Sequence, residues 1–478
     1  MKAFHIHTLL LCLAVPLVLG GQTASQSAPI LIIDHVAVID STGSSPKPDV
    51  SVVIESDRIK FVGPSSRANR TSDAIVVDAT GKFLIAGLWD MHVHSLSKNQ
   101  PDRFFPLFVA NGVTGIRDMG GDISLEDIAR LKKEIANGSR LGPEIYAAGP
   151  ILEGEHPFWP FSISVKDQAD ARRAVPHLIR GGADFVKVYN TLSRGAYLEI
   201  ASEAKLGRIP FVGHIPDSVT PAEASDIGQK SIEHLWGISP YLSLNPEQLK
   251  KMSAEADNAD DPKTARDLFY QVNQTILSSY DSKKAGALFE KFVHNGTWQT
   301  PTLVVLRSYA SIHDPSLRRD PRNVYMPDDL RKFWDSMGGT SDPRNDEIQL
   351  RLFARDIEIV RAMHSFGVPL LAGTDTPNPY TYPGFSLHEE LQLLVSAGLS
   401  PTEALCTATL RAAEFLGVQH DLGSVVEGKV ANLVLLDANP GDDIRNTQKI
   451  RAVILRGKFL DRETLDKLLV PEKASRAH

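Results

Sequence analysis

The sequence predicts an α/β protein: a (β/α)8 TIM barrel with a small β-sandwich built from both ends of the mature chain. Three observations carry this. Short apolar runs alternate with helical patterns through the middle of the chain, and Gly- and Pro-punctuated strand patterns flank that middle on both sides. Histidines, a lysine and an aspartate stand at the ends of successive apolar runs, where barrel chemistry is placed.

At the N-terminus, Lys2 precedes the apolar run Thr8 to Gly20, which exits into the small polar segment Gly21 to Ser27. A positive start, a short apolar region and a small-residue exit describe a secretory signal peptide, residues 1–24. The run is too short to span a bilayer, so the reading is a secreted or periplasmic protein without a stable membrane anchor. Cys12 falls in this segment, which leaves Cys406 as the mature chain's only cysteine and no internal disulfide. Stability then rests on core and metal.

Residues 25–85 form the first part of the sandwich. Ile30–Ile33, Val36–Ile39, Ser51–Ile54, Ile59–Val62 and Ala74–Val77 read as strands separated by turn-forming clusters. Residues 421–478 supply the second part, with strands at Asn432–Leu436 and Ala452–Lys458, and a C-terminal tail.

Residues 86–420 are the barrel. The apolar run Phe83 to Leu88 reads as its first strand, closed by Gly87. Later strands are Thr114–Arg117, Glu144–Ala148, Phe185–Val188, Pro210–His214, Ser231–His234, Pro301–Val305 and Pro369–Gly373. Helical patterns fill the gaps at Ser124–Ala136, Gln168–Ile179 and Gly195–Ala204, the first opened by Ser124 with Asp127 three residues on. The spacing breaks at 240–295 and 306–350, read as insertions after the sixth and seventh strands. Loops there lie on the catalytic face, so a lid is expected, with surface decoration as the competing reading.

The 478 residues suit one large catalytic domain plus a smaller one; 42% hydrophobic and 23% charged residues are the proportions of a soluble globular chain. A net charge of −7 without a basic stripe argues against nucleic acid and for a small-molecule substrate. Homo-oligomerisation is left open.

The chemistry centres on Trp89-Asp90-Met91-His92-Val93-His94. Residues two apart on a strand share a side, so His92 and His94 can aim both imidazoles at one point. Alone, the pair reads equally well as two ordinary polar histidines. Lys187, His214, His234 and Asp375, each at the end of its own apolar run, make it a metal-site candidate.

This set resembles the metal-dependent amidohydrolase superfamily, in the two-metal branch with a bridging lysine. The motifs are WDMHVH at 89–94, Phe185-Val186-Lys187-Val188-Tyr189, Gly213-His214, Glu233-His234-Leu235 and Ala372-Gly373-Thr374-Asp375. Gly149-Pro150 ahead of a loop histidine, and the tail Leu387 to Pro401, are most similar to prolidase-like and imidazolonepropionase-like members. The resemblance implies that His92, His94 and Asp375 hold one divalent metal ion and His214 and His234 the other, with zinc the metal the family implies. It implies that Lys187 bridges them as its N-carboxylate, formed with CO2. A salt bridge inside the barrel mouth is the competing role for Lys187. The implied activity is amide hydrolysis, on a dipeptide or an N-acyl amino acid, by a metal-bridging hydroxide, with Asp375 as proton shuttle. Mononuclear ring hydrolysis of the aminohydrolase or imidazolone type, a lactonase or esterase on the same site, and a metal-free binding protein are the alternatives. Tyr189, two residues after Lys187, is a substrate-binding candidate or a core tyrosine. His156, in Glu155-His156-Pro157-Phe158-Trp159, resembles the loop histidine that contacts substrate.

Overall fold

The computed structural model describes residues 30–40, 46–338 and 341–471; the expected signal peptide and the last seven residues lie outside these. Among the described residues no helix is long and apolar enough to cross a membrane.

The N-terminal unit contributes β1 (Ile30–Val38), β2 (Lys47–Glu55), β3 (Arg58–Pro64), β4 (Ile75–Asp78) and β5 (Phe83–Ala86). The parallel strands follow: β6 (Leu88–Val93), β7 (Val113–Asp118), β8 (Glu144–Ala147), β9 (Leu152–Glu153), β10 (Ile163–Ser164), β11 (Val186–Val188), β12 (Phe211–Gly213), β13 (Ser231–Glu233) and β14 (Trp298–Thr300). The C-terminal unit is β15 (Leu433–Leu436), β16 (Ile450–Leu455) and β17 (Lys458–Asp461).

The two ends meet in one eight-stranded mixed sheet, ordered β17-β16-β15-β5-β1-β2-β3 with β4 also on β1. The runs 30–33 and 36–39, read as two strands, are one strand kinked at His35, whose φ is 56°. The kink lets the first half pair with β4 and the second half with β5. Ile33, Val52, Ile54, Leu433 and Leu435 belong to this sheet's own apolar core.

One expected boundary moves. Phe83–Ala86 is not a barrel strand but β5 of the mixed sheet, and the His-x-His segment itself is the first parallel strand. Gly87 separates the two, because a Cβ there would lie 2.1 Å from Thr114 Oγ1. A second correction concerns Pro301–Val305. The strand lies earlier, at β14, and the apolar run forms the helix Leu303–Ala310. A short apolar run suits a buried strand and a buried helix alike. Here Thr302, at φ 48°, turns the chain out of the sheet.

The parallel strands form a three-stranded sheet, β6-β7-β8, and a six-stranded sheet, β10-β9-β11-β12-β13-β14, interleaved with helices. The predicted eighth strand is an extended segment with single bridges, Leu370 to Gln299 and Thr376 to Val93. It accepts hydrogen bonds from Met91 and His94 and exchanges two with Gln299. The helices Leu125–Ala136, Gln168–Gly181 and Arg194–Leu206 form where the spacing placed them, and Ser124 caps the first by accepting from the Asp127 amide.

The insertions are helical. Residues 240–295 contain Pro246–Asp257, Pro262–Ser278 and Ser282–Asn295; the second insertion runs into the long helix Pro343–Phe366.

Candidate metal and active site

All six predicted ligands emerge at or just beyond the C-terminal ends of parallel strands, or on the bridging segment. His92 lies within β6 and His94 follows it; Lys187 is in β11; His214 and His234 directly follow β12 and β13; Asp375 sits on the extended segment. Gly213 is required ahead of His214, since a Cβ there would meet the Val188 carbonyl oxygen at 2.2 Å.

Asp375 is the point of convergence. His92 Nε2 lies 3.2 Å and His94 Nε2 3.3 Å from its Oδ1, while His234 Nε2 is 3.8 Å from its Oδ2. His92, His234 and Asp375 can each place a ligand atom within 4.8 Å of the others. His214 joins edge-on, its ring 5.1 Å from His234. His234 and Asp375 are both held at φ 59°, in the left-handed region. That conformation costs a residue with a Cβ about 1–2 kcal/mol, a strain offset by the surrounding contacts.

Behind the cluster, the Nδ1 atoms of three imidazoles have partners. His92 Nδ1 pairs with Glu233 Oε2 at 2.9 Å, His94 Nδ1 donates to the Gly120 carbonyl at 2.7 Å, and His234 Nδ1 meets Thr302 Oγ1 at 2.7 Å. A proton held on Nδ1 leaves Nε2 with its lone pair free. Arg117, fully buried, donates to Glu233, Ser231, Thr300 and the Met91 carbonyl. Asp90 accepts from the Thr374 hydroxyl and amide, which ties β6 to the Asp375 segment.

In front, buried atoms lack partners: His92 Nε2, Asp375 Oδ1 and His214 Nδ1. Unpaired buried polar atoms are costly. Three of them on imidazole and carboxylate groups at one place form a donor set that fits divalent metal ions.

The electrostatics follow from burial. Lys187 is almost wholly buried, and loss of solvent lowers its ammonium to about 8 against the pull of Glu233 and Asp375. Burial lowers His234 to about 3. Burial alone would raise Glu233, but the Arg117 charge and the His92 hydrogen bond hold it far below the usual carboxylate range. Asp375 is likewise held down by His234 and His92 against its own burial.

The two substrate-binding candidates fare differently. Tyr189 stacks on His214 with ring centroids 4.3 Å apart, hydrogen-bonds Trp159, and is pushed up to about 12 by burial. His156 is exposed on the loop between β9 and β10 and makes none of the contacts that tie the cluster together. Glu153 pins that loop, accepting from the Phe158 and Trp159 amides and the Ser162 hydroxyl.

Several site residues escaped the sequence reading. Trp236 covers the other face of His214, 4.7 Å away and nearly parallel. Tyr309, from the second insertion, hydrogen-bonds Asn378, three residues past Asp375. Arg117 and Asp90 had a signal, since each is a charge inside an otherwise apolar strand and needs a buried partner.

Residues 337–460 match the model of the amidohydrolase family. An imidazolonepropionase from Pseudomonas savastanoi pv. phaseolicola (strain 1448A / Race 6) is 36% identical over 442 residues, covering 86% of this chain and 93% of the relative. Among solved structures, bottromycin amidohydrolase superposes with a TM-score of 0.72 at 22% identity, over 91% of this chain and 88% of the other. A Xaa-Pro dipeptidase with methionine in its active site gives 0.64 at 18% identity, over 90% and 100% of the respective chains.

Proposed function

This chain belongs to the amidohydrolase family, and on that premise we propose that it hydrolyses the amide bond of a dipeptide or N-acyl amino acid with two divalent metal ions, zinc being the first to test. Membership makes it a hydrolase of carbon–nitrogen bonds. The observation that carries the finer reading is the convergence of His92, His94 and His234 on Asp375, with His92 Nε2, Asp375 Oδ1 and the neighbouring His214 Nδ1 buried and without hydrogen-bond partners. The two parallel sheets and the bridging segment are read as one closed (β/α)8 barrel, in residues 86–420, exported behind a signal peptide.

His92, His94 and Asp375 would hold one ion, His214 and His234 the other. Bound there, the ions would supply an activated water and polarise the scissile carbonyl. Lys187 would bridge the two sets after its uncharged amine attacks CO2, forming an N–C bond and releasing a proton. An amine lowered to about 8 is uncharged in a useful fraction near neutrality. Asp375 accepts the proton of the attacking water and returns it to the leaving amine. Tyr189, beside His214, would bind a substrate oxygen, and His156 would contact the substrate from its loop.

The curated relative's name favours a second reading, opening of an imidazolone ring, for which one ion suffices. Metal analysis of the purified enzyme, then a screen of dipeptides, N-acyl amino acids and imidazolone propionate, separates them. About two ions per chain with amide hydrolysis supports the first reading. One ion with full activity on the ring would replace it.

A further inference from the structure

A cavity of about 380 Å³ opens beside His234, on the side of Trp236. Its walls come from both insertions and from the long helix behind them. Ile276 and Leu306 supply apolar surface; on the helix Pro343–Phe366, Gln349, Phe353 and Asp356 line it together. The spacing explains why: 349, 353 and 356 are four and three residues apart, so they share one helix face.

The cavity's charge is one-sided. Its lining holds the carboxylates of Asp356 and Asp217 and no lysine or arginine. The neighbouring Arg355 is directed elsewhere, over the Tyr280 ring and toward Glu358. Asp356 has one long hydrogen bond, from Ser239 Oγ at 3.4 Å. Burial raises its carboxyl to about 7, and no cation compensates. A carboxylate in the wall of a partly apolar cavity is complementary to a long apolar stem ending in a positive charge. The volume is within the range of small-molecule pockets, and His234, one of its lining residues, also belongs to the cluster around Asp375.

We propose that this cavity is the specificity pocket for a cationic, lysine- or arginine-like side chain of the substrate, with Asp356 as the residue that selects the charge. The proposal rests on the amide-hydrolase reading for the reaction but not for the binding. It assigns the insertions a definite task, since they supply the apolar walls around the stem.

The test uses the full metal-loaded enzyme and dipeptides with lysine at either position, each beside its norleucine counterpart, in the wild type and in Asp356→Asn. The wild type is expected to favour lysine at one position by about tenfold or more in kcat/KM. Asp356→Asn, of nearly the same size, should lose that preference, its kcat/KM for the lysine peptide falling to about that for the norleucine peptide. Equal turnover of lysine and norleucine peptides by the wild type, which needs no variant to fold, would overturn the proposal; so would a preference that survives Asp356→Asn. If no dipeptide is cleaved, the amide reading falls, and calorimetric binding of the same peptides decides the pocket. Tighter lysine binding that Asp356→Asn abolishes supports it, and equal binding overturns it.

Discussion

The back and the front of the metal-site cluster are built on opposite principles. At the back, the charges and ring nitrogens are paired: Arg117 alone donates four hydrogen bonds, and Glu233 accepts from both Arg117 and His92. At the front, His92 Nε2, His214 Nδ1 and Asp375 Oδ1 are buried and unpaired. The same imidazole, His92, belongs to both sides, one nitrogen satisfied and the other free. A site that must bind a cation gains from this division, because the back holds ring orientation and tautomer while the front keeps its lone pairs.

The comparison can be broken most severely at Lys187. Lys187→Ala is expected to lose both bound metal and turnover, and short-chain carboxylic acids should partly restore both. A variant that keeps two metals and normal rates would remove the bridging role. Asp375→Asn retains size and a weak oxygen ligand but loses the base. Its kcat should fall about 10²–10⁴-fold, with metal content, read by elemental analysis, much less affected. A change of only a few-fold would require another base, with His156 first to examine.

Glu233→Gln sharpens the contrast by weakening the back alone. Metal affinity, measured by chelator competition, should drop about 10–100-fold while the front ligands remain. Unaltered affinity would mean that the back does not orient His92.

The smallest effect concerns the pocket. Burial raises the Asp356 carboxyl to about 7 in the folded protein, from its ordinary value of 3.8. Between those values the folded state holds a proton that the unfolded state has released, so stability falls as pH rises through the window. Asp356→Asn lacks this term. Its melting temperature relative to wild type should therefore be more favourable at pH 8 than at pH 5, by calorimetry without substrate. A difference independent of pH would place the carboxylate in contact with water.

The cluster was legible because its signal is local. His92 and His94 obey the two-residue period of a strand, and Lys187, His214, His234 and Asp375 each close an apolar run. The place of Tyr189 beside His214 follows the same period, two residues beyond Lys187. Glu233 was visible only as a neighbour of His234, for nothing local says that its carboxylate meets Arg117 from β7 and His92 from β6. The apolar run at 301–305 misled, since helix and strand bury such residues equally well and the turn at Thr302 is decided by its surroundings.

The sequence by itself determined which residues could be ligands, the alternation of strands and helices, and the joining of both chain ends in one β unit. Periodicity and residue chemistry are properties of neighbours along the chain. Tertiary structure alone decided which nitrogen of His92 is paired and which is not, that Gly87 passes the chain from one sheet to the next, and that Asp356 and His234 line one cavity. Those are contacts between residues tens to hundreds of positions apart, and their energies exist only once the strands and helices have packed.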